Sequence, residues 1–367
     1  MRLGLVVNPI AGMGGRFALK GSDDPQLLEA ARARGAVPVA PARALDALRP
    51  LAAHSDRLEV LASAGEMGED EATSAGLEPE VLGSARTATS AEDTRAAAAA
   101  MADRGVDLLL FVGGDGTAVD VLEAIGDRVP VLGVPAGVKM HSAVFAVNPR
   151  SAGELVGRLA RGGVRSLRPA EVMDVDEALL RRGAVAARLH GFLNVPAERR
   201  LVQSAKARSL AGEAEAQEAI AHHLVENVLG DRMWLIGPGT TTGALMTLLG
   251  LEKTLLGVDV VHRGKLVAPD ADERTLLELI ESEEAGIVVT PVGGQGFVLG
   301  RGNQQLSARV IRSVDQLVIV ATEAKIAGLG GRPLRVDTGD LEVDASLSGW
   351  TRVTVGFNRE IVYPIAP

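Results

Sequence analysis

An α/β fold in two domains is the architecture this chain predicts: a parallel-sheet domain at the N-terminus, then a second α/β domain richer in strands. Three observations predict it. Short apolar runs alternate with helical segments through roughly the first 150 residues, the pattern of a sheet with helices on its faces. Two of those runs end in glycine clusters, where a strand must turn sharply. Beyond residue 150 the texture changes to longer extended segments and turns, so domains spanning 1–150 and 151–367 are expected.

The elements follow in order. Residues 3–7 read as a strand ended by Asn8-Pro9 and the loop Gly12-Met13-Gly14-Gly15, and residues 25–33 as a helix. Residues 58–62 form the next strand, with a polar helical or loop stretch over 66–74. Ser90-Ala91-Glu92-Asp93 resembles a capping box for an Ala-rich helix reaching residue 102. Residues 106–112 form a buried strand that runs into Gly113-Gly114-Asp115-Gly116-Thr117, with Thr117 expected to open and cap the following helix. Residues 131–134 make one more strand between prolines.

In the second half, residues 168–178 and 185–195 read as an antiparallel pair turned at Arg181-Arg182-Gly183, and 212–229 as a long helix. Residues 233–236 are a strand feeding Gly237-Pro238-Gly239-Thr240-Thr241-Thr242 and a helix to 249, which repeats the grammar of the first domain. Residues 254–261, 286–289, 334–336, 341–343 and 352–355 are further strands.

Composition narrows the chemistry. With 47% hydrophobic but only 2% aromatic residues, the core is built from Ala, Val and Leu, and aromatic platforms for stacking bases are not expected. A net charge of −9 lacks the basic footprint of a nucleic-acid binder. The absence of cysteine excludes disulfides, thiolate catalysis and Cys-ligated metals. No apolar run approaches the ~18 residues of a spanning helix. The short apolar N-terminus lacks a plausible cleavage site, so a cytoplasmic protein without a membrane partner is expected.

The 113–117 loop is the most informative stretch. Its glycines leave backbone N–H groups open to a phosphate, the next helix adds partial positive charge, and Asp115 stands where an incoming hydroxyl would need a base. A plain glycine-flanked turn is the competing interpretation of Asp115. Asp120, placed in the first turn of the helix, is most simply a charge that favours the dipole. Asn8, Gly12, Gly14 and Gly15 form a second loop at a strand end, with Arg16 and Lys20 nearby; the two loops can be walls of one crevice. Neither loop is a Walker-type phosphate loop or a full dinucleotide fingerprint.

Lys139 and His141 follow the next strand and should line the same edge, with an exposed polar helix start as the competing interpretation. Arg301 and Asn303, with Gln304, sit in a glycine-flanked loop and offer donors suited to phosphate or adenine, with a plain turn as the competing interpretation. His222 and His223, flanked by Glu218 and Glu226, have metal-compatible spacing, but packing and solvent explain them more simply. So does solvation for Asp174, Asp176 and Glu177, and a turn for Asp337-Thr338-Gly339-Asp340.

Gly113-Gly114-Asp115-Gly116-Thr117 resembles the signature of the NAD kinase and diacylglycerol kinase superfamily. Residues 8–15, 19–23, 133–142, 236–242, 254–259, 300–305 and 336–340 are similar to its ATP-NAD kinase-like, AcoX-type branch, so the likeness spans nearly the whole chain. It implies a Rossmann-like N-terminal domain, a β-rich dinucleotide-binding second domain, and ATP or polyphosphate as phosphoryl donor with Mg²⁺. It further implies that Asp115 activates the adenosine ribose 2′-hydroxyl of NAD and that Gly113, Gly114, Gly116 and Thr117 line phosphates. Gly239, Thr240, Thr241 and Thr242 would hold the dinucleotide. A homodimer or homotetramer is implied as well. Two positions depart from the pattern: Val195 follows Asn194 where NAD kinases carry an acid, and Val119 stands where close relatives often carry Arg. These departures keep open a non-catalytic nucleotide-binding protein accompanying a catabolic operon; the same loop could also serve phosphorylation of another small hydroxyl compound.

Overall fold

The computed structural model describes residues 1–13, 15, 29, 32–33, 35–86, 88–137, 140–163, 166–175, 187–198, 213–254, 256–292 and 295–367. The expected helix over 25–33 and the turn at 181–183 fall largely or wholly outside them. The chain packs as two compact units. One comprises Met1–Met13 with Gly21–Ala205, the other Gly14–Lys20 with Lys206–Pro367.

The first unit carries β1 (Arg2–Val7), α1 (Ala40–Leu48), β2 (Glu59–Ser63), α2 (Glu69–Ser74), β3 (Glu80–Leu82), α3 (Ala91–Asp103), β4 (Leu108–Gly113), α4 (Asp115–Ile125), β5 (Val131–Pro135) and α5 (Pro149–Ala160). Its sheet runs β3-β2-β1-β4-β5 with every pairing parallel. Such a sheet is covered on both faces, so its central strands are continuously apolar rather than alternating. Leu108 to Gly113 are all buried, as are Leu3 to Val7. Each buried Leu or Val side chain contributes roughly 1.5–3 kcal/mol. The expected capping box is present at α3, where Ser90 N donates to Asp93 Oδ2 at 2.9 Å.

An antiparallel pair, β6 (Leu167–Val175) and β7 (Ala187–Pro196), completes this unit. The change of texture near residue 150 therefore does not coincide with the change of packing. Ala170, Val172, Leu193 and Val195 enter the same core as Leu5 and Leu110, which holds the pair to the first unit.

The second unit contains α6 (Glu213–Asn227), β8 (Met233–Ile236), α7 (Thr240–Leu248), β9 (Asp259–His262), β10 (Lys265–Ala268), α8 (Glu273–Ile280), β11 (Ala285–Val289), β12 (Phe297–Leu299), α9 (Ala308–Arg312), β13 (Gln316–Val320), α10 (Glu323–Gly328), β14 (Leu334–Val336), α11 (Leu341–Ser346), β15 (Gly349–Gly356) and β16 (Arg359–Ala366). Its strands form one mixed nine-stranded sheet, ordered β10-β9-β8-β11-β13-β15-β16-β14-β12. The pairs β8–β11, β11–β13 and β13–β15 are parallel. Two apolar clusters draw on this sheet, one including Trp234, Ile236, Leu245 and Val288, the other Leu235, Ile287 and Leu276.

Four expectations are corrected. Residues 341–343 are helical, not extended, because Asp340 caps them: its Oδ1 accepts from Glu342 N and Val343 N, both at 3.1 Å. The strand expected from 254 begins only at Asp259, because Lys253 and Thr254 fold back onto that carboxylate at 2.6 and 2.9 Å. Thr117 does not cap α4; Gly114 is the N-cap and Asp115 the first helical residue. Asp120 accordingly lies beyond the first turn, paired with Arg95 at 2.6 Å.

Candidate functional site

In the first unit β1 and β4 are neighbours, and the chain leaves them toward opposite edges of the sheet. This is a topological switch point, where ligands of open α/β sheets bind at the strands' carboxyl ends. Asn8 and Asp115 both stand there, one just past β1 and the other just past β4. Asn8 Nδ2 donates to Thr117 Oγ1 at 3.0 Å, and Asn8 Oδ1 accepts from Ile10 N at 3.3 Å. The first two glycine turns are thereby tied together. A Cβ on Gly113 would collide with the Thr117 side chain, and one on Gly12 with the Ala136 carbonyl. Gly12 also has φ +79°, open to glycine at little cost.

The segment after β5 closes against the same place. Ala136 N and Gly137 N donate to Gly113 O at 2.9 and 3.2 Å. A Cβ on Gly137 would lie 2.7 Å from Gly114 Cα, so the two backbones touch where any side chain would hold them apart. Beyond it, His141 N donates to Asp115 Oδ2 at 2.6 Å and Ser142 N donates to Asp115 Oδ1 at 3.0 Å. His141 Nδ1 lies 3.3 Å from Asp115 Oδ2. Ser142 is itself fixed: its hydroxyl donates to Met173 O and accepts from Met173 N, at 2.9 and 3.0 Å.

Asp115 is 7% exposed. Its carboxylate therefore anchors the 141–142 backbone, and it faces an imidazole rather than open solvent. Oδ1, which takes the single bond from Ser142 N, retains lone-pair capacity beyond it. Gly14 and Lys139, with Arg16 and Lys20, lie outside the described residues. Gly15 is grouped with the second unit, where its Cβ position is 3.1 Å from Gln304 Cβ. Gly116 lies within the first turn of α4.

Glu71, which sequence reasoning passed over, stands near the carboxyl end of β2 in the same sheet. It is buried, and its Oε2 has no hydrogen-bond partner among the described residues. Burial, reinforced by the nearby Asp70 and Glu66 charges, pushes its carboxyl up to about 7.

The second unit gathers its own polar groups at the carboxyl ends of β8, β11 and β13. Gly239 is the N-cap of α7, with φ +129°. Thr241 and Thr242 are fully buried, and Thr242 Oγ1 donates to Gly237 O at 2.8 Å. Thr240 Oγ1 accepts from Gln217 Nε2 at 3.2 Å. Lys325, absent from the sequence expectations, donates from Nζ to Thr241 Oγ1 at 2.8 Å and to Thr290 Oγ1 at 3.1 Å.

Asn303 serves its own loop, accepting from Gly300 N at 3.0 Å and donating to Val298 O at 2.8 Å. Arg301 is buried, donates to Asp337 Oδ2 at 3.0 Å, and lies 4.7 Å above the Phe297 ring. Asn194 is half-buried on β7 opposite Pro169. Val195 beside it is fully buried in the core, a position where a carboxylate would be stranded. His222 approaches Glu226 at 3.9 Å, and His223 Nδ1 accepts from Asn358 N at 3.2 Å.

Among the described residues no three His, Asp or Glu side chains cluster in a metal-binding arrangement. Among the described residues the donors form no all-protein cage; Mg²⁺ is commonly held through substrate phosphates with one or two carboxylates. No helix among the described residues is long and apolar enough to cross a membrane.

The switch-point loops and the buried first-turn carboxylate define a glycine-loop α/β protein, an architecture suited to nucleotides. Its family follows from the sequence of both halves. The model of the ATP-NAD kinase N-terminal domain matches residues 3–164, and that of the ATP-NAD kinase C-terminal domain matches residues 229–364. The chain belongs to the ATP-NAD kinase family. No curated protein gives a significant match. Three solved structures described as diacylglycerol kinases of Bacillus anthracis str. Sterne align with 17%, 17% and 16% identity and TM-scores of 0.25, 0.26 and 0.25. Each alignment covers 48% of this chain and 46%, 45% and 46% of the respective relative, less than half its length.

Proposed function

We propose that the chain is a phosphotransferase with an alcohol group as acceptor, and that it phosphorylates the adenosine ribose 2′-hydroxyl of NAD to give NADP, with ATP or polyphosphate as donor. Family membership over both halves supports the reaction class. The single observation that carries the site is the Asp115 carboxylate at the start of α4, held at the β1/β4 switch point.

The chemistry follows from that placement. The acceptor hydroxyl would give its proton to an Asp115 oxygen as its own oxygen attacks the terminal phosphorus, and the bond to the departing phosphate chain would break in line. Positioning and charge neutralisation supply most of the acceleration in such transfers. The bonds from His141 N and Ser142 N would fix the carboxylate's direction. Gly113, Gly114 and Gly116 would admit phosphate to the backbone, with Mg²⁺ arriving on the donor. Dimeric or tetrameric assembly belongs to the same proposal.

A second interpretation draws on the same hydrogen bonds. A carboxylate that anchors two backbone N–H groups can serve structure alone, in a nucleotide-binding protein without turnover. A coupled assay for NADP formation, with ATP and polyphosphate compared, separates the two. The kinase proposal expects donor-dependent NADP; calorimetric NAD binding with no product from either donor favours the binding protein. Product from another small alcohol but not from NAD would keep the reaction class and change the acceptor.

A further inference from the structure

We infer that Lys325 is the cation that receives the phosphate chain of a nucleotide at the second unit's glycine loop, an assignment that rests on the nucleotide reading above and extends it to a residue outside every motif of the sequence. Three adjacent parallel strands, β8, β11 and β13, end side by side. Each is followed by a threonine-bearing turn: Thr240 to Thr242 after β8, Thr290 after β11, and Thr322 after β13. Lys325 comes from the third turn and reaches the other two, through Thr241 Oγ1 and Thr290 Oγ1. Thr322 caps the helix that carries it, accepting from Lys325 N at 3.2 Å. The ammonium thus bonds buried threonine hydroxyls at the ends of β8 and β11, while the buried Thr322 after β13 caps the helix that carries it.

The loop it meets is shaped for close approach. Gly239 has φ +129°, and a Cβ there would collide with the Thr290 methyl. A lysine acts on phosphate as a point charge with three donors. A carboxylate shares the cluster: buried Glu213, whose Oε1 accepts from Thr322 Oγ1 at 3.3 Å and from Gln217 Nε2 at 3.4 Å. Two opposite charges around one polar cluster make a signed prediction. Removing the lysine should weaken an anion, and removing the carboxylate should strengthen it.

The experiment is calorimetry on the full chain with ATP, inorganic tripolyphosphate and adenosine as probes. Lys325→Met is expected to weaken ATP and tripolyphosphate about tenfold or more while leaving adenosine unchanged, and Lys325→Arg to retain most of the affinity. Glu213→Gln is expected to tighten tripolyphosphate. Thermal melting checks that each variant folds; if Lys325→Met does not, Lys325→Arg and Glu213→Gln still carry the test by sign. Unchanged ATP affinity in Lys325→Met, parallel losses for ATP and adenosine, or failure of the wild-type chain to bind ATP or tripolyphosphate overturns the assignment. NADP formation that persists alongside unchanged ATP affinity in Lys325→Met would remove this role and leave the kinase proposal intact. Lysine-dependent ATP binding without NADP formation would do the reverse.

Discussion

Asn8 and Thr117, 109 residues apart in the chain, meet through a 3.0 Å hydrogen bond from Asn8 Nδ2 to Thr117 Oγ1 that spans the β1/β4 switch point. Neither side chain is placed by its own loop alone. The bond couples the end of the first strand to the first turn of the helix that carries Asp115.

Thr117→Val keeps the shape of that side chain and removes the acceptor. It should cost about 1–3 kcal/mol, because Asn8 is left with an unpaired amide in a part-buried site. Thr117→Ser should recover most of the loss. Urea unfolding midpoints of the variants check this.

Gly137→Ala tests the backbone contact between the two loops. The new methyl would sit 2.7 Å from Gly114 Cα, a main-chain atom that cannot swing aside. A loss of about 1–3 kcal/mol is expected. Gly243→Ala is the control: it lies in helix α7 with nothing within 4 Å of the added methyl, so it should be neutral or stabilising. Equal behaviour of the two variants in thermal melts would contradict the close approach.

Glu71 makes stability depend on pH with a definite sign. Its carboxyl is raised from 4.5 to about 7 in the folded chain, chiefly by burial. The folded state therefore holds the proton more tightly than the unfolded state. The stability this contributes is complete below about 4.5 and is lost as pH rises toward about 7. Glu71→Gln should flatten that slope and raise stability at pH 8 by on the order of 2 kcal/mol. Denaturant titrations at pH 5 and pH 8 measure the difference.

Much of this fold was legible in the sequence because its strands are short, apolar and closed by glycine. Residues 106–113 and 233–239 state strand, turn and helix within a few positions. The misreadings have local causes. An apolar Leu341 and Val343 looked extended, yet Asp340 captures the two N–H groups beside them and turns the segment helical. Residues 316–320 went unread although Leu317 to Val320 is an uninterrupted apolar run. With that strand missed, Thr322 gave no sign of being a cap and Lys325 no sign of a destination. Its partners lie 84 and 35 residues away, a relation that only the order of β8, β11 and β13 creates. The grip of Asp115 on residues 141 and 142 is equally long-range. An isolated glycine-flanked acid carries no mark of the backbone that will fold over it.

The most direct measurement is turnover and nucleotide affinity in Asp115→Asn, on the same preparation and with folding checked by melting. Loss of NADP formation by roughly two orders of magnitude or more, with NAD and ATP still bound, is the result predicted for a carboxylate that takes the hydroxyl proton. Near wild-type NADP formation in the folded variant would contradict it and leave Asp115 only as the anchor of the 141–142 backbone.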